Sequence, residues 1–155
     1  MKKTRLKKYA ELIAKYGVNV KKGQEVVITA ELDQPEFVKM LVEECYKLGA
    51  KKVSVDWSYQ PLTKLSVKYQ NAKTLGTVED WQLAKLEHQA DVLPAKIYLT
   101  SEDPDGLKGI NQEKFTKANA ERAKKIKPIR NKMENKYQWC IAAVPGKEWA
   151  RKVFP

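Results

Sequence analysis

Glu25-Val26-Val27-Ile28-Thr29-Ala30, then Asp33-Gln34-Pro35, then Lys52-Val53-Ser54-Val55-Asp56-Trp57 are the stretches whose order decides the fold. The first is a short continuous β-prone run, the pattern of a strand buried on both faces. Asp33 suits a helix N-cap, with Pro35 in the first turn. Phe37, Val38, Leu41, Val42, Cys45 and Leu48 then recur at helical spacing, and Gly49 fits the C-terminal cap. The third stretch is a second strand. Residues 25–57 therefore read as strand, helix, strand, a βαβ unit, which crosses over right-handed in nearly every case.

Outward from this unit the same alternation continues. Leu6, Tyr9, Ile13 and Tyr16 give an amphipathic helix over residues 4–17, ended by Gly17. Residues 61–71 and 78–91 read as helices. Ala95-Lys96-Ile97-Tyr98-Leu99-Thr100 is a third strand, and Asp103-Pro104-Asp105-Gly106 is turn chemistry. Asn111 can cap a long helix running to about residue 135, which Pro128 should kink or split. Residues 137–144 read as a fourth strand, and a last helix begins at Glu148 and runs to Phe154. No repeat, low-complexity tract or internal boundary appears. The expectation is one α/β domain over residues 1–155: a three-layer sandwich, with a mostly parallel sheet of four to five strands and helices on both faces.

A chain of 155 residues, 43% hydrophobic, can bury a core without disulfides or a structural metal. Its 30 Lys and Arg against 19 Asp and Glu leave a net charge of +11, which raises the question of an anionic partner. No apolar run approaches the ~18 residues of a membrane span. The basic start, Lys2-Lys3-Thr4-Arg5, is followed by no apolar signal core, so a cytoplasmic location is expected. Cys45 and Cys140 sit in apolar stretches and read as free core thiols, with a Cys45–Cys140 disulfide the less favoured alternative.

Few residues could carry chemistry. His88 is the one histidine, no His-Glu-x-x-His or Cys-x-x-Cys exists, and a lone His among charges reads as a surface residue. Glu43 and Glu44 are neighbours on a helix and point apart. The acidic stretch Glu102-Asp103-Pro104-Asp105 follows a strand, where open α/β sheets place ligands, but turn-forming Asp is the simpler reading. There is no Gly-x-Ser-x-Gly, and no glycine in the loop after Ile28, so neither a nucleophile elbow nor a phosphate loop is present. No residue is assigned as catalytic, metal-ligating or cofactor-binding, and no substrate-binding residue can be named. Arg122, Lys124, Lys125, Lys127, Arg130, Lys132 and Lys136 form a basic stripe over 122–136. Glu121 and Glu134 interrupt it and no aromatic is spaced for base stacking, so a solvated helix face is favoured. A stand-alone nucleic-acid-binding module using this stripe is the alternative reading.

Trp149 and Phe154, in a final amphipathic turn, are the candidates for contact with a missing neighbour; composition equally allows them simply to cap the sheet edge. Val153-Phe154-Pro155 reads as a link into an extended segment, so the coding frame is expected to continue into a second domain.

Three ordered blocks resemble a known family. They are Lys8-Tyr9-Ala10-Glu11-Leu12-Ile13 with Gly17-Val18-Asn19-Val20 and Lys22-Gly23-Gln24; Leu41 through Ala50; and Trp139-Cys140-Ile141-Ala142-Ala143-Val144-Pro145 with Trp149 through Pro155. Together they resemble the N-terminal domain of the thermophilic-type metalloaminopeptidases, with residues 58–95 the weakest stretch. The resemblance implies a cytosolic homodimeric exopeptidase that removes N-terminal residues from peptides. It implies two divalent metal ions, of the zinc or cobalt class, held by a C-terminal domain absent here, so no ligand role transfers to this chain. Gly146 departs from the family pattern, where Thr or another larger residue is expected, and is read as loosening the entry to the last helix.

Overall fold

The computed structural model describes residues 2–144 and 146–154. Four strands form one parallel sheet among these residues: β1 (Glu25–Glu31), β2 (Lys52–Ser58), β3 (Ala95–Thr100) and β4 (Trp139–Ala143). Their spatial order is β2-β1-β3-β4. β1 is the hub, pairing Val26 with Val53 on one side and with Ala95 on the other; β3 in turn pairs Ile97 with Cys140. The α/β class and parallel sheet implied by the sequence are present, and the strand limits fall within a residue or two of those expected.

Helix α1 (Lys3–Leu12) leads into a π-helical turn, Ile13–Gly17; α2 (Pro35–Lys47) joins β1 to β2. The expected 4–17 helix is thus not α-helical throughout. Val18 N–H reaches back to Ile13 O at 2.9 Å, the five-residue bond of a π turn. Side-chain periodicity over one turn does not distinguish this from an α-helix. Gly17 serves close approach here: a Cβ on it would lie 2.9 Å from Cys140 Sγ.

α2 turns Phe37, Val38, Leu41 and Cys45 inward. They meet one sheet face, made of Val26, Ile28, Ala30, Val53, Val55, Ala95, Ile97, Leu99, Cys140 and Ala142, together with Ala10, Ile13 and Ala14. Ile28, Ile97 and Leu41 are fully buried, and each contributes about 1.5–3 kcal/mol of hydrophobic stabilisation. Tyr9 closes the rim: its ring lies 5.6 Å from that of Phe37 and its hydroxyl donates to Ala143 O at 2.9 Å. Burial, and secondarily Cys140, raises the Tyr9 phenol above its ordinary value. The opposite face is mixed. Thr29, Glu31, Ser54, Asp56, Lys96 and Tyr98 alternate with the core residues, while Trp139 and Ile141 are 59% and 60% exposed on β4.

The chain forms two compact units. One comprises residues up to Tyr59, Pro94–Pro104 and Tyr137 onward, and holds the sheet. The other comprises Gln60–Leu93 and Asp105–Lys136. The second contains α3 (Gln60–Tyr69), α4 (Ala72–Gly76), α5 (Asp80–Val92) and α6 (Gln112–Met133). Asn71 and Asn111 cap α4 and α6 by accepting from Thr74 N–H and Lys114 N–H at 2.8 and 2.9 Å. Glu79 and Gln82 form a capping box on α5. The chain does not split at Pro128; α6 is one 22-residue helix through it. Gly76 brings α4 against α6, where a Cβ would stand 3.4 Å from Ala118 Cα.

Candidate functional site

Ligands of open α/β sheets gather beyond the carboxyl ends of the strands, where the strand order reverses. In this sheet the reversal lies between β1 and β3. Asp33 follows β1 there and Ser101 follows β3. The Ser101 hydroxyl donates to Asp33 Oδ1 at 2.6 Å, and Ser101 N–H donates to Glu102 Oε2 at 3.0 Å. Ser101 is only 4% exposed. Gln34, not Asp33, is the N-cap of α2, and no side chain caps that helix. Asp33 instead spends one oxygen on the loop after the neighbouring strand β3, while its other oxygen accepts from Gln34 Nε2 at 3.3 Å.

Helix α7 (Lys147–Val153) starts against this pair. A Cβ on Gly146 would overlap Asp33 Oδ2 and lie 2.9 Å from Ser101 O. The residue is buried with φ −72°, so glycine is required here by space and not by backbone conformation. This corrects the reading of Gly146 as a loosening of the link: it is a close contact. The Asp33–Ser101–Gly146 cluster was not singled out as a site from sequence. Its only local signal is Asp beyond the first strand, since the partner residues are 68 and more positions away.

Chemically the cluster ties loops together. The hydroxyl is pinned by a carboxylate, with no imidazole in the bonded set to accept its proton, so it lacks the relay of an activated serine. Among the described residues no three His, Cys, Asp or Glu side chains gather as a metal site. A dinuclear centre needs roughly six or more donors around two ions, and the donor set here does not fit that group.

The other sequence candidates fall as follows. Trp149 is half-buried on α7 and Phe154, its C-cap, is 78% exposed. Asp105 lies in the turn that follows β3, its carbonyl accepting from Lys108 N–H at 2.9 Å. His88 is exposed on α5. Glu43 and Glu44 do not simply diverge: both reach Lys47 Nζ, at 3.1 and 2.7 Å, being four and three residues before it. That ammonium holds the Glu43 carboxyl below its ordinary value, and the two carboxylates raise the Lys47 ammonium. Both cysteines are free. Burial, helped by Glu44, pushes the Cys45 thiol up to about 12, and burial raises Cys140. Two lysines of the basic stripe are paired with carboxylates, Lys124 with Glu121 at 2.5 Å and Lys132 with Glu87 at 2.8 Å, while Arg122 donates to Thr77 O at 2.6 Å and keeps its charge.

Fold and site together define an α/β domain built on a four-stranded parallel sheet, bearing no metal cluster among the described residues. The chain belongs to the thermophilic metalloprotease (M29) family, which it matches over residues 2–155. It is 32% identical over 154 residues to aminopeptidase PepS of Streptococcus thermophilus, covering 99% of this chain and 37% of the relative. Aminopeptidase AmpS of Bacillus subtilis is also 32% identical, over 97% of this chain and 37% of its own length. The solved structure of wild-type AmpT from Thermus thermophilus superposes with a TM-score of 0.88 at 30% identity, covering 99% of this chain and 39% of that one. The chain thus spans under two-fifths of these relatives. Membership in a peptidase family does not favour the nucleic-acid module.

Proposed function

We propose that this chain is the N-terminal, non-metal-binding domain of an aminopeptidase that removes N-terminal residues from peptides. The observation that carries it is the end-to-end match: family, sequence and fold agree over essentially all 155 residues while covering about 37–39% of each relative. Two divalent ions held by a second domain would supply the Lewis acid and an activated water. None of this chain's residues serves as a ligand. Its role is to wall the substrate cavity and to pack on the catalytic domain through Trp149 and Phe154, whose exposed or half-exposed rings suit a partner surface. The intact protein works as a cytoplasmic homodimer. No helix among the described residues is long and apolar enough to cross a membrane.

Three measurements test this. Reading the coding sequence beyond Pro155 is expected to reveal a domain rich in His, Glu and Asp. The 155-residue chain with added cobalt or zinc is expected not to hydrolyse an amino-acid anilide, while the longer protein does. Turnover by the short chain, or a native mass equal to 17.8 kDa, would overturn the reading.

A further inference from the structure

The second unit carries a groove that the peptidase reading does not use. Leu65, Val67 and Ile110 line it, Lys64, Lys68 and Lys114 rim it, and its volume is about 450 Å³. Ligand-binding clefts run from about 300 to 1,000 Å³. We propose that this groove docks an acidic peptide segment through one apolar side chain and its flanking carboxylates.

Charge complementarity selects that occupant. No carboxylate lines the groove. Lys64 and Lys68 stand one turn apart on α3, where like charges repel. An anion placed between them relieves that repulsion. Lys114 Nζ is fixed by donating to Val67 O at 2.6 Å, which leaves its other N–H groups for a ligand. Lys68 lies 5.1 Å from the Tyr69 ring centre, so its ammonium is also positioned.

The apolar half of the argument comes from α3. Leu62, Leu65 and Tyr69 are 59%, 49% and 74% exposed and recur at helical spacing, an exposed apolar stripe of which Leu65 also lines the groove. A helix that spends its large apolar residues on the outer face marks a contact surface. The floor is aliphatic and the cations are lysine ammoniums without an arginine fork, which suits carboxylates between apolar side chains better than stacked bases.

The test uses a hexapeptide of alternating glutamate and leucine, acetylated and amidated so that it offers no free N-terminus to an aminopeptidase. Failure here therefore leaves the peptidase reading standing, and the reverse. Titrated into the 15N-labelled chain, the peptide is expected to shift the amides of Leu65, Val67 and Ile110 saturably. The Lys64→Glu/Lys68→Glu variant is expected to weaken binding at least tenfold, and a lysine–leucine peptide to bind no tighter than that variant binds the acidic one. The variant's own amide spectrum reports its fold, and Lys64→Gln/Lys68→Gln gives the same comparison if the reversal unfolds it. Absence of saturable shifts, shifts mapping elsewhere, or unchanged affinity in the variants overturns the proposal. So does a single-stranded oligonucleotide or an anionic phospholipid vesicle occupying the same amides more tightly than the peptide.

Discussion

Substituting Gly146→Ala should destabilise the sheet unit by about 2 kcal/mol. The new methyl would overlap Asp33 Oδ2 and press on Ser101 O at 2.9 Å. Turning Asp33 aside breaks its 2.6 Å bond from the Ser101 hydroxyl. Bonds to charged groups contribute about 1.5–3 kcal/mol, and the exposure of Asp33 puts this one at the lower end, about 1.5. The backbone carbonyl cannot turn aside, so residual crowding adds about 1 kcal/mol. Against these, Gly→Ala at an ordinary φ stabilises by about 0.4–1 kcal/mol through the unfolded chain. Urea unfolding followed by tryptophan fluorescence reads the result. With slopes of about 1–3 kcal/mol/M, the midpoint should fall by roughly 1 M. Gly146→Thr, the residue type expected from the family pattern, should cost more. In an Asp33→Ala background the cost of Gly146→Ala should shrink, because that carboxylate is already gone. An unchanged midpoint for Gly146→Ala, or costs that simply add in the double variant, would refute the close-contact reading.

Gly17→Ala should lower stability by about 1–2 kcal/mol through its clash with Cys140 Sγ, and Cys140→Ala should recover most of it in the same urea assay. Leu41→Ala, at a fully buried site, should cost about 2–5 kcal/mol in thermal or urea unfolding. Cys45 has a folded thiol value near 12, above its unfolded value. Its protonated form is therefore favoured on folding, and that stability is complete below the unfolded value and lost as pH climbs toward 12. Between pH 8 and 10 the wild type should lose about 1.5 kcal/mol more than Cys45→Ala; parallel pH profiles for the two would contradict this.

The strands were legible because each is a compact run in which burial fixes composition: Val26-Val27-Ile28 and Ala95-Lys96-Ile97 can pair only as core strands. Helix ends were legible where a cap is chemical, as at Asn111 and Gly49. The π-helical turn at Ile13–Gly17 was not, because its sign is a hydrogen bond from Val18 to Ile13 that leaves no mark on residue spacing. Short α4 was missed for a related reason: five residues give no periodicity. The Asp33–Ser101 bond was hidden for a third reason. A side chain that can cap its own helix or bridge to another strand is decided by tertiary placement.

The sheet unit is assembled from three separated stretches of chain, and this fixes an order of exposure during synthesis. β1 and β2 leave the ribosome close together and can pair through α2 alone. The other edge of β1 has to wait until Ala95–Thr100 emerges, after α3, α4 and α5. Through that interval the nascent chain presents a bare strand of Val26, Val27 and Ile28 with unpaired backbone groups, the kind of edge that recruits foreign strands. Slow translation of residues 60–93 would lengthen the hazard and rapid translation would shorten it. Silent codon changes confined to that segment therefore bear on the soluble yield of a protein whose amino-acid sequence they leave untouched.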